Sequence, residues 1–162
     1  MNLQEQLEST LQGRICLMGL GNPDCGDDGF GVRLCEQLIN AGVADIVVAA
    51  TEPEHYIGAV AGQRFDHIIF VDAVEFGGSP GDAVFLDAAE IEARFPQVST
   101  HKLSLSLLAK LVASNGISKA WVLGVQPESM RQGQSLSPKV RLTLDTLCEL
   151  LLRFKTREVL AC

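Results

Sequence analysis

The chain has 162 residues, 47% of them apolar and 20% charged, a balance that supports a folded core and argues against disorder. Its formal charge is −7, and no cluster of lysine and arginine offsets it, so nucleic acid and anionic membranes are poor partners. No apolar run approaches the roughly 18–20 residues needed to span a bilayer, and Met1-Asn2-Leu3-Gln4-Glu5 lacks the basic start of a signal peptide, so the expected compartment is the cytoplasm.

Leu3, Leu7 and Leu11 recur every four residues and predict a short amphipathic helix over 2–12, ended by Gly13. This helix is an extension (1–13) ahead of an α/β core (14–155), and the whole chain (1–162) reads as one domain. Packing of the extension on its own core favours a monomer. Arg14 to Gly19, built on the apolar run Ile15-Cys16-Leu17-Met18, reads as a first strand. It runs into Gly19-Leu20-Gly21-Asn22-Pro23-Asp24-Cys25-Gly26-Asp27-Asp28-Gly29-Phe30-Gly31, and a helix is expected from about Asp27 to Asn40. Strand, glycine-rich turn and helix form the usual opening of a ligand-binding α/β domain.

Ile46–Ala50 reads as a second, buried strand, and Thr51-Glu52-Pro53-Glu54-His55-Tyr56 as a loop leading to a short helix near 57–61. His67–Asp72 is a third strand ending on an acid, and Ala83–Leu86 a fourth after the turn Gly77-Gly78-Ser79-Pro80-Gly81. The short connection between these two strands allows one antiparallel or edge pairing. Ser99-Thr100 can cap a helix carrying Leu103, Leu107, Leu108 and Leu111. Ala120–Val125 is a fifth strand, 126–137 a polar loop, and Pro138 a suitable first residue for a final helix. Apolar strands alternating with amphipathic helices predict a three-layer α/β/α sandwich around a mostly parallel, five-stranded twisted sheet.

In such a sheet, ligands bind beyond the carboxyl ends of the strands. Asp27 and Asp28 follow the first strand, Asp72 ends the third, and His101 sits where the 99–115 helix would begin. Two carboxylates and an imidazole are a donor set for a divalent transition metal with positions left open. Each also has a plainer role: Asp27 as a helix N-cap, Asp28 as a first-turn acid, Asp72 as a turn cap and His101 as a surface histidine. Asp24 stands where a dinucleotide fingerprint needs its third glycine, which weakens a nucleotide reading. Cys16, Cys35 and Cys148 fall in apolar patterns and predict small core residues. Cys25 lies in the polar turn, where a thiol nucleophile, a soft metal contact or a passive cysteine are all open.

Gly19-x-Gly21-Asn22 with Gly26-Asp27-Asp28-Gly29-x-Gly31 resembles the N-terminal signature of the hydrogenase maturation endopeptidases. The resemblance continues through Val71-Asp72-Ala73 with Pro80-Gly81, through Thr100-His101, and through Leu123-Gly124-Val125-Gln126-Pro127-Glu128, covering about residues 14–152. It implies a phosphorylase/hydrolase-like fold and an endopeptidase that trims the C-terminal extension of a nickel–iron hydrogenase large-subunit precursor after nickel insertion. It also implies Asp28, Asp72 and His101 as the metal-contacting, catalytic set, with nickel supplied by the substrate protein and no tightly held cofactor of the enzyme's own. A non-hydrolytic maturation chaperone is the alternative, and a nucleotide-binding enzyme a weaker one. The family's loop after the second strand is often of an Asp-Gly-Gly type that faces the substrate; here it reads Ala50-Thr51-Glu52-Pro53-Glu54.

Overall fold

The computed structural model describes residues 1–94 and 104–160, with side chains as far as Phe154. The elements, in chain order, are α1 (Leu3–Thr10), β1 (Ile15–Leu20), a 3-10 turn (Gly26–Gly29), α2 (Phe30–Asn40), β2 (Ile46–Ala50), a second 3-10 turn (Pro53–His55), α3 (Ile57–Gly62), β3 (His67–Ala73), β4 (Ala83–Asp87), α4 (Ala88–Arg94), α5 (Leu105–Ala113), β5 (Lys119–Val125) and α6 (Pro138–Leu160). The five strands form one mixed α/β sheet in the order β2-β1-β3-β5-β4. Four strands are parallel, and β4 runs antiparallel at one edge. The reversed strand pairs with β5, not with β3, its neighbour in sequence.

Strand alternation divides the core into two layers. Cys16, Met18, Leu20, Ile68 and Phe70 face α3, α4 and α5, while Ile15, Leu17, Ile69, Val71 and Leu123 face α1, α2 and α6. Leu7 and Leu11 of the N-terminal segment enter the second layer, so the extension packs on the core. Cys16, Cys35 and Cys148 are core residues as expected, and burial pushes the Cys35 thiol up to about 12, which removes its reactivity. No helix among the described residues is long and apolar enough to cross a membrane.

Three expectations need correction. β2 is an edge strand and is half-buried along most of its length, because β1 is its only sheet neighbour. α4 was not foreseen; its start is set by Asp87, whose carboxylate accepts the Glu90 N–H at 2.8 Å. α5 begins at Leu105, with Ser104 as its N-cap accepting the Leu107 N–H at 3.1 Å. Ser99 and Thr100, the expected caps, lie outside the described residues.

Candidate active site

The connections from β1 and β3 depart in opposite directions: β1 leads through α2 to β2, and β3 leads toward β4 and β5. A crevice therefore opens between the carboxyl ends of β1 and β3, the position where open α/β sheets bind ligands. Asp28, in the turn after β1, and Asp72, near the end of β3, both lie at this edge.

The turn after β1 is held against the sheet by close backbone contacts. At Gly21 (φ +111°) a Cβ would collide with the carbonyl oxygen of Asp28. At Gly31, the second residue of α2, it would collide with the carbonyl oxygens of Val71 and Leu20. Only glycine lets the helix start this close to the strand end that carries Asp72.

The same turn cannot serve as a phosphate cradle, because its main-chain donors are consumed internally. The Asn22 N–H goes to Asp28 Oδ2 (2.9 Å), Asp24 N–H to Asn22 Oδ1 (2.9 Å) and Cys25 N–H to the Asn22 carbonyl (3.1 Å). Gly26 N–H goes to Gln134 O (3.1 Å), Asp27 N–H to Ser129 O (2.9 Å) and Asp28 N–H to Cys25 O (3.1 Å). Pro23 has no N–H to offer. An anion nest needs free donors, and these are taken.

The two adjacent acids differ in kind. Asp27 is fully buried and is not the helix cap expected from sequence. Its carboxylate accepts the N–H groups of Glu128 (2.8 Å), Ser129 (3.2 Å) and Ser137 (2.7 Å) and the Ser137 hydroxyl (2.9 Å). It thereby staples the loop after β5 to the turn after β1. Asp28 is 7% exposed, and although its Oδ2 is bonded, its Oδ1 is shielded from solvent with no hydrogen-bond partner. A buried carboxylate oxygen without a donor is costly, and a bound ion or ligand is one of the ways such an oxygen is satisfied. Asp72, 3% exposed, accepts the Ala73 N–H at 2.9 Å. His101 lies outside the described residues, and among the described residues no three His, Cys, Asp or Glu side chains gather around a metal position.

The other histidines are placed elsewhere. His67 begins β3 at the opposite end of the sheet, its Nδ1 accepts the Trp121 indole N–H at 3.0 Å, and burial lowers its pKa. His55 is exposed and pairs with Glu52 at 3.3 Å. Cys25 is half-buried at the rim of the turn and makes no capping bond through its side chain.

Residues 32–154 match the model of the HycI hydrogenase maturation protease family. The chain belongs to that family. This hydrogenase maturation protease is accordingly a peptidase, and the resemblance read from its residues is borne out. It is 30% identical to the hydrogenase 2 maturation protease of Escherichia coli K12 over 144 residues, covering 84% of this chain and 87% of the relative. It is 32% identical to the hydrogenase 3 maturation protease of the same strain over 114 residues, covering 69% and 72%. In three dimensions it matches the NiFe hydrogenase maturation protease HycI of Thermococcus kodakarensis with a TM-score of 0.78 at 30% identity, over 92% of this chain and 95% of that one. The E. coli endopeptidase HybD matches with a TM-score of 0.74 at 27% identity, over 90% and 93%.

Two parts of the candidate site leave no trace in the sequence. The Asp27 staple had no local signal, since its partners lie 101 to 110 residues away along the chain. Gln126, buried at the end of β5, orders the loop after β3: its Oε1 accepts the N–H groups of Phe76 (3.0 Å) and Gly78 (3.2 Å), and its Nε2 donates to Glu75 (2.6 Å). Gln126 stands within the Leu-Gly-Val-Gln-Pro-Glu run, but nothing in the run indicates which backbone it serves.

Proposed function

We propose that this peptidase removes the C-terminal extension of a nickel–iron hydrogenase large-subunit precursor after nickel insertion, and that Asp28, Asp72 and His101 contact the nickel the precursor carries. The observation that carries the reading is the unpartnered, buried Oδ1 of Asp28 at the sheet's switch point, at the same edge as Asp72. A carboxylate in that state is stabilised by a cation more than by any neutral group. Chain direction supports His101 as the third donor. α5 ends at Ala113 and β5 starts at Lys119, so the helix descends while the strand rises. Ser104, three residues after His101, therefore stands at the carboxyl edge of the sheet. Nickel seated in the precursor would serve as the recognition element, and it can also polarise the scissile carbonyl or activate a water, with a carboxylate as base.

The test is processing of a nickel-loaded precursor beside the nickel-free one, read by mass spectrometry of the large subunit's C-terminus. The loaded precursor should be trimmed and the nickel-free one left intact. Asp28→Asn should abolish trimming while the circular dichroism spectrum stays unchanged. An intact C-terminus with wild-type enzyme would point to a chaperone, and full activity of Asp28→Asn would remove that residue from the site.

A further inference from the structure

The turn that carries Asp28 also borders a pocket of about 390 Å³, lined by Pro23 and Gly26 of the turn, Arg33 of α2, Gln134 and Ser135 of the loop after β5, and Arg141 of α6. Its walls are preformed, because turn and loop are bonded at three points. Gly26 N–H donates to Gln134 O (3.1 Å), Gly133 N–H to Asp24 O (2.7 Å) and Asp27 N–H to Ser129 O (2.9 Å). At Gly26 (φ +54°) a Cβ would stand 2.6 Å from the Ser129 carbonyl oxygen, so only glycine lets the two segments meet.

The charge of this pocket is the reverse of the molecule's. The chain carries −7 overall, yet the lining holds two guanidinium groups and no carboxylate. Arg33 meets Glu36 through one nitrogen at 3.1 Å, a partly exposed pair of the kind that adds little to stability. Arg141 has no ion pair or side-chain hydrogen bond among the described residues. It stands in the first turn of α6, where its charge opposes the helix dipole and no acid accompanies it. Asp27, bonded to Ser137 at that helix end, is buried and already accepts four hydrogen bonds. Gln134 Oε1 accepts the Ser129 hydroxyl at 2.7 Å, which leaves the Gln134 Nε2 to donate elsewhere. Two guanidinium forks, an amide N–H and the Ser135 hydroxyl around one hollow are donors that suit a carboxylate or a phosphate. Position favours the carboxylate. Gly26 is two residues from Asp28, so their Cα atoms lie at most about 7 Å apart, and a polypeptide held at the Asp28 edge can reach the pocket within a few residues.

We infer that Arg33 and Arg141 form a docking pocket for a carboxylate of the precursor. The inference rests on the proposed function for the identity of the substrate. The carboxylate is either the C-terminus of the precursor's extension or an acidic side chain within a few residues of the cut bond; both present the same two oxygens to a guanidinium. The two arginines hold the substrate away from the reacting atoms, so they set which polypeptide is bound and leave the chemical step unchanged.

The experiment measures processing of the nickel-loaded precursor by wild type and by the double variant Arg33→Gln, Arg141→Gln. KM should rise about fivefold or more in the double variant, as expected when two partly exposed ion pairs are lost together, with kcat nearly unchanged. Arg141→Glu alone, which keeps the Arg33–Glu36 pair, should raise KM as well and gives the same reading if the double variant does not fold. Raising the ionic strength should increase KM in wild type and leave the double variant nearly flat. Two altered precursors separate the sources of the carboxylate: one ends in a C-terminal amide, and the other has Asn or Gln in place of the acidic residues near the cut bond. The one that raises KM for wild type, and not for the double variant, has lost the group that docks. KM unchanged in the arginine variants, or raised by neither altered precursor, would overturn the inference while the proposed function stands. Failure of wild type to process the loaded precursor would remove the proposed function and this inference with it.

Discussion

At Asp27 four donors converge on a single buried carboxylate, so removing it strands three main-chain N–H groups and a hydroxyl at a part-buried place. Asp27→Ala should lower stability by about 3 kcal/mol or more, seen as a reduced urea midpoint, because buried unsatisfied donors each cost about 1–3 kcal/mol. At a temperature where the variant is still folded its processing activity should also fall, since the loop after β5 then loses its anchor to the Asp28 turn. Asp27 illustrates what the sequence conceals. An aspartate ahead of a helix is most economically read as its cap, and only the distant partners Glu128, Ser129 and Ser137 reveal otherwise. Asp28 and Asp72 were legible for the opposite reason: strand-end position follows from local patterning, and strand ends of a parallel sheet define the ligand edge.

Among the elements, the contact between α2 and β3 is the most tightly specified. Gly31 places the first turn of α2 directly on the Val71 carbonyl, one residue before Asp72. Gly31→Ala adds a single methyl that meets backbone on two sides, so the helix must move away. The expected cost is about 1–3 kcal/mol in the thermal or denaturant midpoint, with loss of processing because the Asp28 turn leads straight into that helix. Elements with a strong period are legible to within a residue or two: β1, β3, β5 and the start of α6; α2, expected from Asp27, begins at Phe30 because residues 26–29 form a 3-10 turn. α4 leaves a weak signal although Asp87-Ala-Ala-Glu90 is a recognisable helix start, because the described helix has seven residues and Ile91 is the one it buries. The short connection between β3 and β4 already allowed an antiparallel edge strand, but not its partner, β5. Which neighbour has a free edge is a property of the assembled sheet.

For the whole molecule, the sheet order places β1, β3 and β5 inside and leaves β2 and β4 at the edges. Ile68 to Val71 and Val122 to Leu123 are fully buried between the two helical layers, whereas most of β2 is only half-buried. Amide exchange should therefore be slowest in the middle of β3 and β5, requiring global unfolding, and faster by orders of magnitude in β2. Equal protection across the five strands would contradict that ranking. The staple at Asp27 has a further consequence for how the molecule comes into being. The turn that bears Asp28 is made early, yet all four hydrogen bonds to the Asp27 carboxylate come from residues 128 to 137. Long-range closures of this kind form late, and during synthesis at about 5–20 residues per second they must wait several seconds for their partners to emerge. The turn that bears Asp28 therefore receives its last restraints only when most of the chain has been made.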